Sequence, residues 1–332
     1  MKKFFFSILA VGALVACTKS EVKYNDASEI AFAPVASTVT KANVLNAIDG
    51  TVYPENETFK VWGYWKLVGA GSGHSKFTDA TSYIDAKEFK KPEGGNLWKG
   101  ALKSYYWPKT GSMVFACISP ADAPIFNNNF SHDVVSDKFS FAYRSPIANS
   151  KINAAETIDL MWTDATKSYD ENTAANGVSV TFKHALTWIT FKVLGDETTK
   201  GGNFVINKLT MNQVKAVGSF DSKNRTWGVA TAYPFPVFDG AKNLTTEATV
   251  IENVDRGTLI IPQVKDSEYT ATIEFTNNLG DEVIHEVVNV DLGKGWEIGK
   301  HYTYTIKFTA TEILIQPEME DWVEVDAVTT IF

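Results

Sequence analysis

The stretch HYTYTIKFTA, residues 301–310, alternates apolar and polar side chains without a break. Tyr302, Tyr304, Ile306 and Phe308 fall on one face, and Thr303, Thr305, Lys307 and Thr309 on the other. A chain patterned with period two can bury its apolar side only as a strand with one face on a core. YTATIEFTNN repeats the pattern with Ala271, Ile273 and Phe275 facing inward, and Asn277-Asn278-Leu279-Gly280 then offers a turn. DEVIHEVVNVDL follows as the return arm of a hairpin. In VSVTFKHALTWITFKV the inward set runs Val178, Val180, Phe182 and restarts in the opposite phase as Ile189, Phe191, Val193. That change of phase predicts a bulge or bend between Lys183 and Trp188. A helical apolar period is not sustained for ten residues after the N-terminal segment; Ala42–Ile48 and Lys151–Ile158 have room for a turn or two. The class is all-β, with strands of this length and spacing predicting two packed sheets per domain.

A chain of 332 residues is long enough for two domains. The polar, glycine-bearing run LGDETTKGGN, residues 194–203, is the expected boundary, giving tandem β-sandwiches over 28–196 and 197–332. The first half also carries the longer irregular segments Gly69–Gly95 and Ser119–Asn153, where a binding surface is expected.

Ahead of the strands lies a different pattern. Met1-Lys2-Lys3 is basic, Phe4–Val15 is almost wholly apolar, and Ala16-Cys17 ends the run with small residues. This is the layout of an export signal, and an apolar run of about a dozen residues is too short to span a bilayer, which takes about 20. Leu14-Val15-Ala16-Cys17 resembles the bacterial lipobox, which implies a signal peptide over 1–16, acylation of Cys17 and attachment to a membrane. Residues 17–27 are polar and read as a tether.

Other chemistry is thinly represented. The formal charge is −8, with only three arginines among 31 basic residues, so a nucleic-acid surface is not expected. With Cys17 acylated, Cys117 has no partner for a disulfide and reads as a core residue. GAGSGH at 69–74 lacks the Lys-Ser/Thr ending of a phosphate loop, and the nucleophile elbow, the zincin helix and paired zinc cysteines are missing. His184 lies at the phase change and reads as a hydrogen-bonded histidine at a bend. No cofactor, metal or enzymatic activity is expected.

Read in order, the lipobox, EIAFAP, SYYWPKTGSMVFACISP, IDLMWTDA, VSVTFKHALTWITFKV, GSFDSKNRTWGV, GTLIIPQ, and GWEIGKHYTYTIKF followed by DWVEV resemble the fimbrillin family of Bacteroidetes. The resemblance implies two transthyretin-like, Greek-key sandwiches in a lipid-anchored subunit of a surface fimbria or adhesin on the outer membrane. It also implies maturation by a protease that removes the first strand, and assembly when a C-terminal strand of another subunit fills the emptied groove. On this chain the exchanged first strand would carry Ile30 and Phe32, and the donor strand Val323, Val325 and Val328. Cleavage would fall at Lys41, because no arginine precedes Arg144. The implied partners are other fimbrial subunits, the outer membrane, the maturation protease, and a host or bacterial surface glycan or protein. The alternative is a glycan-binding surface lipoprotein, for which Trp65, Trp98 and Trp162 are the expected surface rings, while Trp62, Trp107, Trp188 and Trp227 sit in core-like surroundings.

Overall fold

The computed structural model describes residues 24–36, 53–66, 82–109, 111–124, 130–133, 138–252, 258–279 and 283–321. In chain order the strands are β1 Tyr24–Glu29, β2 Phe32–Ala36, β3 Phe59–Lys66, β4 Ser82–Lys90, β5 Lys99–Gly100, β6 Tyr106–Pro108, β7 Ser112–Ser119 and β8 Ser131–Asp133. Next come β9 Lys138–Arg144, β10 Ile147–Ala148, β11 Lys151–Ile152, β12 Met161–Ser168, β13 Val178–His184, β14 Thr187–Gly195, β15 Gly201–Asp221 and β16 Thr226–Leu244. The last are β17 Thr249–Val250, β18 Thr258–Ile260, β19 Gln263–Asn277, β20 Ile284–Trp296, β21 Lys300–Phe308 and β22 Ile313–Asp321. Helix is confined, among the described residues, to a 3-10 turn at Ala154–Glu156 and to α1, Glu171–Asn176. Asp170 caps α1 by accepting from the Thr173 amide at 2.6 Å, and Gly177 ends it at φ 77°.

The all-β expectation holds, but the first half is not the expected sandwich. One sheet runs β2-β13-β12-β7-β3-β4-β5, antiparallel except for the parallel pair β2–β13. Its two ends meet where Phe32 and Trp98, the residue before β5, exchange amide-to-carbonyl bonds of 2.9 Å each way. The sheet therefore closes nearly into a barrel, which removes most of its edge. Inside lie Phe32, Phe59, Phe89, Phe115 and Phe182 with Tyr53 and Trp107.

β7 explains why a single alternation rule could not describe this half. All eight of its residues are buried: Met113, Phe115 and Cys117 face the barrel interior, while Ala116 and Ile118 face a second core with Trp62, Trp162, Phe141 and Phe220. That second core joins the barrel to the rest of the molecule. The stretches 69–95 and 119–153, expected to be irregular, contain β4 and β8 to β11.

The second half does pack two sheets around one core. One sheet is β17-β14-β21-β22, with β18 also on β14; the other is β20-β19-β15-β9-β8, with β16 along the opposite side of β15. Ile189, Phe191, Ile206, Leu209, Ile273, Phe275, Ile306 and Phe308 fill the space between.

The boundary expected at 194–203 lies inside this second half, between β14 and β15, and it is a bonded turn. Asp196 Oδ1 accepts from the amides of Thr198 (2.9 Å) and Thr199 (3.0 Å), and Thr199 Oγ1 donates to the Phe308 carbonyl at 2.9 Å. The chain passes between the halves earlier, at 184–187, where the phase change was read as a bend. β13 ends on the barrel, β14 begins on the sandwich, and the buried Ala185 and Leu186 span the gap. Reversal of phase there records a change of sheet. β15, at 21 residues on the order of 70 Å long, pairs with β19 through residues 204–211 and with β9 through 217–221. One strand thus serves both the sandwich and the middle core, so the halves are not independent tandem units.

Candidate functional site: the seat of the first strand

The polar N-terminal stretch read as tether through Ala27 is already strand from Tyr24 onward. β1 pairs with β6, Tyr24 opposite Pro108 and Glu29 opposite Tyr106. The chain then steps across the barrel opening: the Ile30 amide donates to the Tyr105 carbonyl at 2.7 Å, and Phe32 bridges Trp98. On the other side the Val178 amide donates to the Ala31 carbonyl at 2.8 Å, and β2 runs parallel to β13 from Phe32↔Val178 to Ala36↔Phe182. Residues 24–36 thus form a single stave seated between β13 on one flank and the segment 98–108 on the other.

Ile30 and Phe32, the residues singled out in this strand, are both fully buried. The Phe32 ring stands edge-on to three others, with centroids 5.6 Å from Phe59, 5.1 Å from Phe89 and 5.1 Å from Phe115. It is the centre of the barrel core, in the geometry aromatic quadrupoles favour. Polar contacts hold the rim: Lys99 Nζ lies 2.6 Å from Glu29 Oε2, and Ser28 Oγ donates to the Tyr169 hydroxyl at 3.1 Å. Gly177 lets the flank approach closely, since a Cβ there would sit 3.1 Å from the Ala33 nitrogen and the Phe32 carbonyl carbon. The sequence reading missed Trp98, Tyr105 and Gly177 as walls of this seat; the helix-ending glycine just before a strand was the available signal.

Cys17, Lys41, Val323, Val325 and Val328 lie outside the described residues.

The remaining expectations divide. Cys117 is a buried free thiol whose pKa burial pushes well up, with Asp164 adding to the effect, which is the state of an inert core cysteine. His184 is buried and its Nδ1 meets Asp159 Oδ1 at 2.9 Å, the hydrogen-bonded histidine expected at the crossing. Trp65, Trp98 and Trp162, expected at the surface, are buried at 6%, 5% and 3% exposure, because each lies on a strand with cores on both sides or at the barrel seam. None of them offers an open face for sugar stacking. A cleft of about 340 Å³ does border the second half of the 119–153 stretch, between Asn149, Lys151, Asn153 and Pro236. Among the described residues no three His, Cys, Asp or Glu side chains gather as a metal site.

Comparison with known proteins returns a consistent fold. Solved structures that superpose include a fimbrial protein from Bacteroides vulgatus, 15% identical, with a TM-score of 0.62 over 89% of this chain and 100% of that one. Two proteins described as candidate cell-adhesion proteins also superpose. The one from Bacteroides ovatus is 16% identical, with a TM-score of 0.55 over 90% of this chain and 99% of that one. The one from Bacteroides uniformis is 14% identical, with a TM-score of 0.54 over 89% and 99%. No curated protein sequence matches the chain. A family described as fimbrillin-like matches residues 24–322, from the start of β1 to just past the end of β22. The chain belongs to the fimbrillin-like family.

Proposed function

We propose that the protein is a surface fimbrial subunit or adhesin of the outer membrane, moored through acylated Cys17 and assembled by strand exchange. In this reading a protease cleaves at Lys41, the stave at 24–36 leaves, and a strand carrying Val323, Val325 and Val328 of another subunit takes its seat. The observation that carries the reading is the position of Ile30 and Phe32 at the heart of a barrel closed by their own strand. Two such side chains contribute roughly 3–6 kcal/mol by burial. An emptied seat therefore favours any extended segment that restores apolar anchors and main-chain bonds to both flanks. Membership of the fimbrillin-like family and the fold shared with a fimbrial protein support the same assignment.

The experiment treats the full chain with a lysine-specific protease and looks for a ladder of heat-labile polymers. Lys41→Gln is expected to abolish the ladder. Replacing Val323, Val325 and Val328 together by Asp is expected to leave cleavage intact and stop polymer growth. Polymers that form equally well in the triple variant would overturn strand donation. Metabolic labelling with palmitate, lost in Cys17→Ala, tests the anchor independently.

A further inference from the structure

Three long strands among those described have a neighbour on one side only: β16, β20 and β22. An exposed edge is a template for pairing, and proteins blunt it with proline, charge or bulges. β16 carries Pro234 and Pro236, and β22 carries Pro317 with the exposed Glu318 and Glu320. β20 has no proline. From Thr270↔Asp291 to Asn277↔Ile284 it runs beside β19 for eight pairs without a register shift. Its edge exposes Ile284 at 51% and Val287 at 66%, and Val283, just ahead of it, is 62% exposed. The one long edge without a proline is also the one that shows valine and isoleucine to solvent, along a run free of register shifts.

We propose that β20 pairs with β20 of a second copy of this chain, antiparallel, with Val287 on the twofold axis. This register opposes Val287 to itself, Ile284 to Val290, His285 to Asn289 and Glu286 to Val288. It uses only residues 284–290, inside the shift-free run, and faces no charge with its like. Centring the axis on Glu286 would oppose two carboxylates, and centring it on Val288 would carry the pairing into the register shift beside Asp291. The self-complementary register selects a second copy over a foreign strand, because an isologous contact closes at two and leaves no further edge. The contact is lateral, uses no part of the stave at 24–36, and is present in the uncut chain, so it stands or falls apart from strand exchange.

The test uses the full chain. Val287→Cys, mildly oxidised, is expected to give about tenfold more disulfide-linked dimer than Val250→Cys, a half-exposed position on β17, because only the former would lie within disulfide reach of its counterpart. In sedimentation, wild type is expected to be dimeric. Val287→Lys is expected to be monomeric and folded, unfolding cooperatively at a temperature that no longer depends on protein concentration, while Val250→Lys stays dimeric. A monomeric wild type, or equal cross-linking at positions 287 and 250, overturns the proposal. So does a Val287→Cys, Val325→Cys double variant that closes within one chain as a monomer, which would assign the edge to the chain's own C-terminal segment.

Discussion

The two halves solve the edge problem in opposite ways. The barrel has almost no free edge, yet its closure depends on thirteen residues at the start of the described chain, and Phe32 on that stave is the hub of the aromatic core. The sandwich leaves β16, β20 and β22 open, yet nearly every member of its core comes from strands between Thr187 and Asp321. Losing the first strand should therefore unmake one half and spare the other. Closure by a terminal strand gives a compact fold that is conditional on that strand staying in place, whereas an open sandwich keeps its core and leaves its edges to be managed.

The largest expected effect separates these two designs. Phe32→Ala removes the hub ring and should cost about 3–5 kcal/mol, the usual range for a buried Phe→Ala change. The loss should be local: amide hydrogen exchange is expected to accelerate over β1, β2 and β13 well before β14, β19 and β21. Phe308→Ala, at the centre of the sandwich core, should invert that order at similar cost. Equal acceleration of both halves in each variant would show that the shared β15 and the crossing at 184–187 fuse them into one cooperative unit, and the comparison would fail.

A second substitution sharpens the sandwich side. Trp296 Nε1 donates to the Tyr304 hydroxyl at 2.7 Å, which donates on to the Leu292 carbonyl at 2.8 Å. Burial pushes the Tyr304 pKa up to about 12, so the hydroxyl remains a donor throughout the physiological range. Tyr304→Phe leaves the indole N–H buried without this acceptor and should cost about 1–3 kcal/mol in urea denaturation. The barrel should be unaffected, which hydrogen exchange over β2 and β13 would check.

Period two was legible wherever a strand has one wet face. β21 reads in the sequence as it lies in the structure, with Tyr304, Ile306 and Phe308 in the core, and so does β19 with Ala271, Ile273 and Phe275. Legibility failed where both faces are dry. β7 carries no alternation to read, and Trp62 and Trp65 on β3 point into different cores, so no single-sided pattern could separate surface from interior. The seat of the first strand was half visible: Ile30 and Phe32 announced an inward face, but Trp98 and Tyr105 contribute through their carbonyl groups, which leave no trace in side-chain pattern. The run at 194–203 hid its structure for a related reason. A polar Gly- and Thr-rich run reads as a linker, whereas here its Asp196 and Thr199 side chains bond the turn onto the end of β21.

A smaller effect falls on the barrel. Asp170 accepts from both the amide and the hydroxyl of Thr173, at 2.6 and 2.8 Å, fixing α1 just ahead of β13 and the Gly177 approach to β2. Asp170→Ala removes this cap and should cost about 1 kcal/mol. If the stave's seat depends on that placement, protease sensitivity over 24–36 should rise with it. An unchanged digestion rate would mean that β13 alone holds the flank.

The smallest expected effect is a pH dependence confined to the sandwich. His301 stacks on Trp188 with ring centroids 3.9 Å apart, its Nε2 meets Thr190 Oγ1 at 2.9 Å, and its Nδ1 meets Glu320 Oε1 at 2.8 Å. Burial holds its pKa below the ordinary 6.5; the Glu320 carboxylate pulls upward and the Lys192 ammonium pushes further down. A histidine depressed in the folded state binds fewer protons there than in the unfolded chain. Its full contribution to stability is therefore present above pH 6.5, shrinks as the unfolded imidazole begins to protonate, and is lost once pH falls through the folded pKa. His301→Gln should flatten that part of the pH–stability curve. Glu320→Gln removes the one upward pull, lowers the folded pKa further, and should deepen the acid loss. A Glu320→Gln variant that instead flattened the curve would mean that the carboxylate holds His301 charged, making the clasp between β21 and β22 an ion pair and not a buried neutral contact.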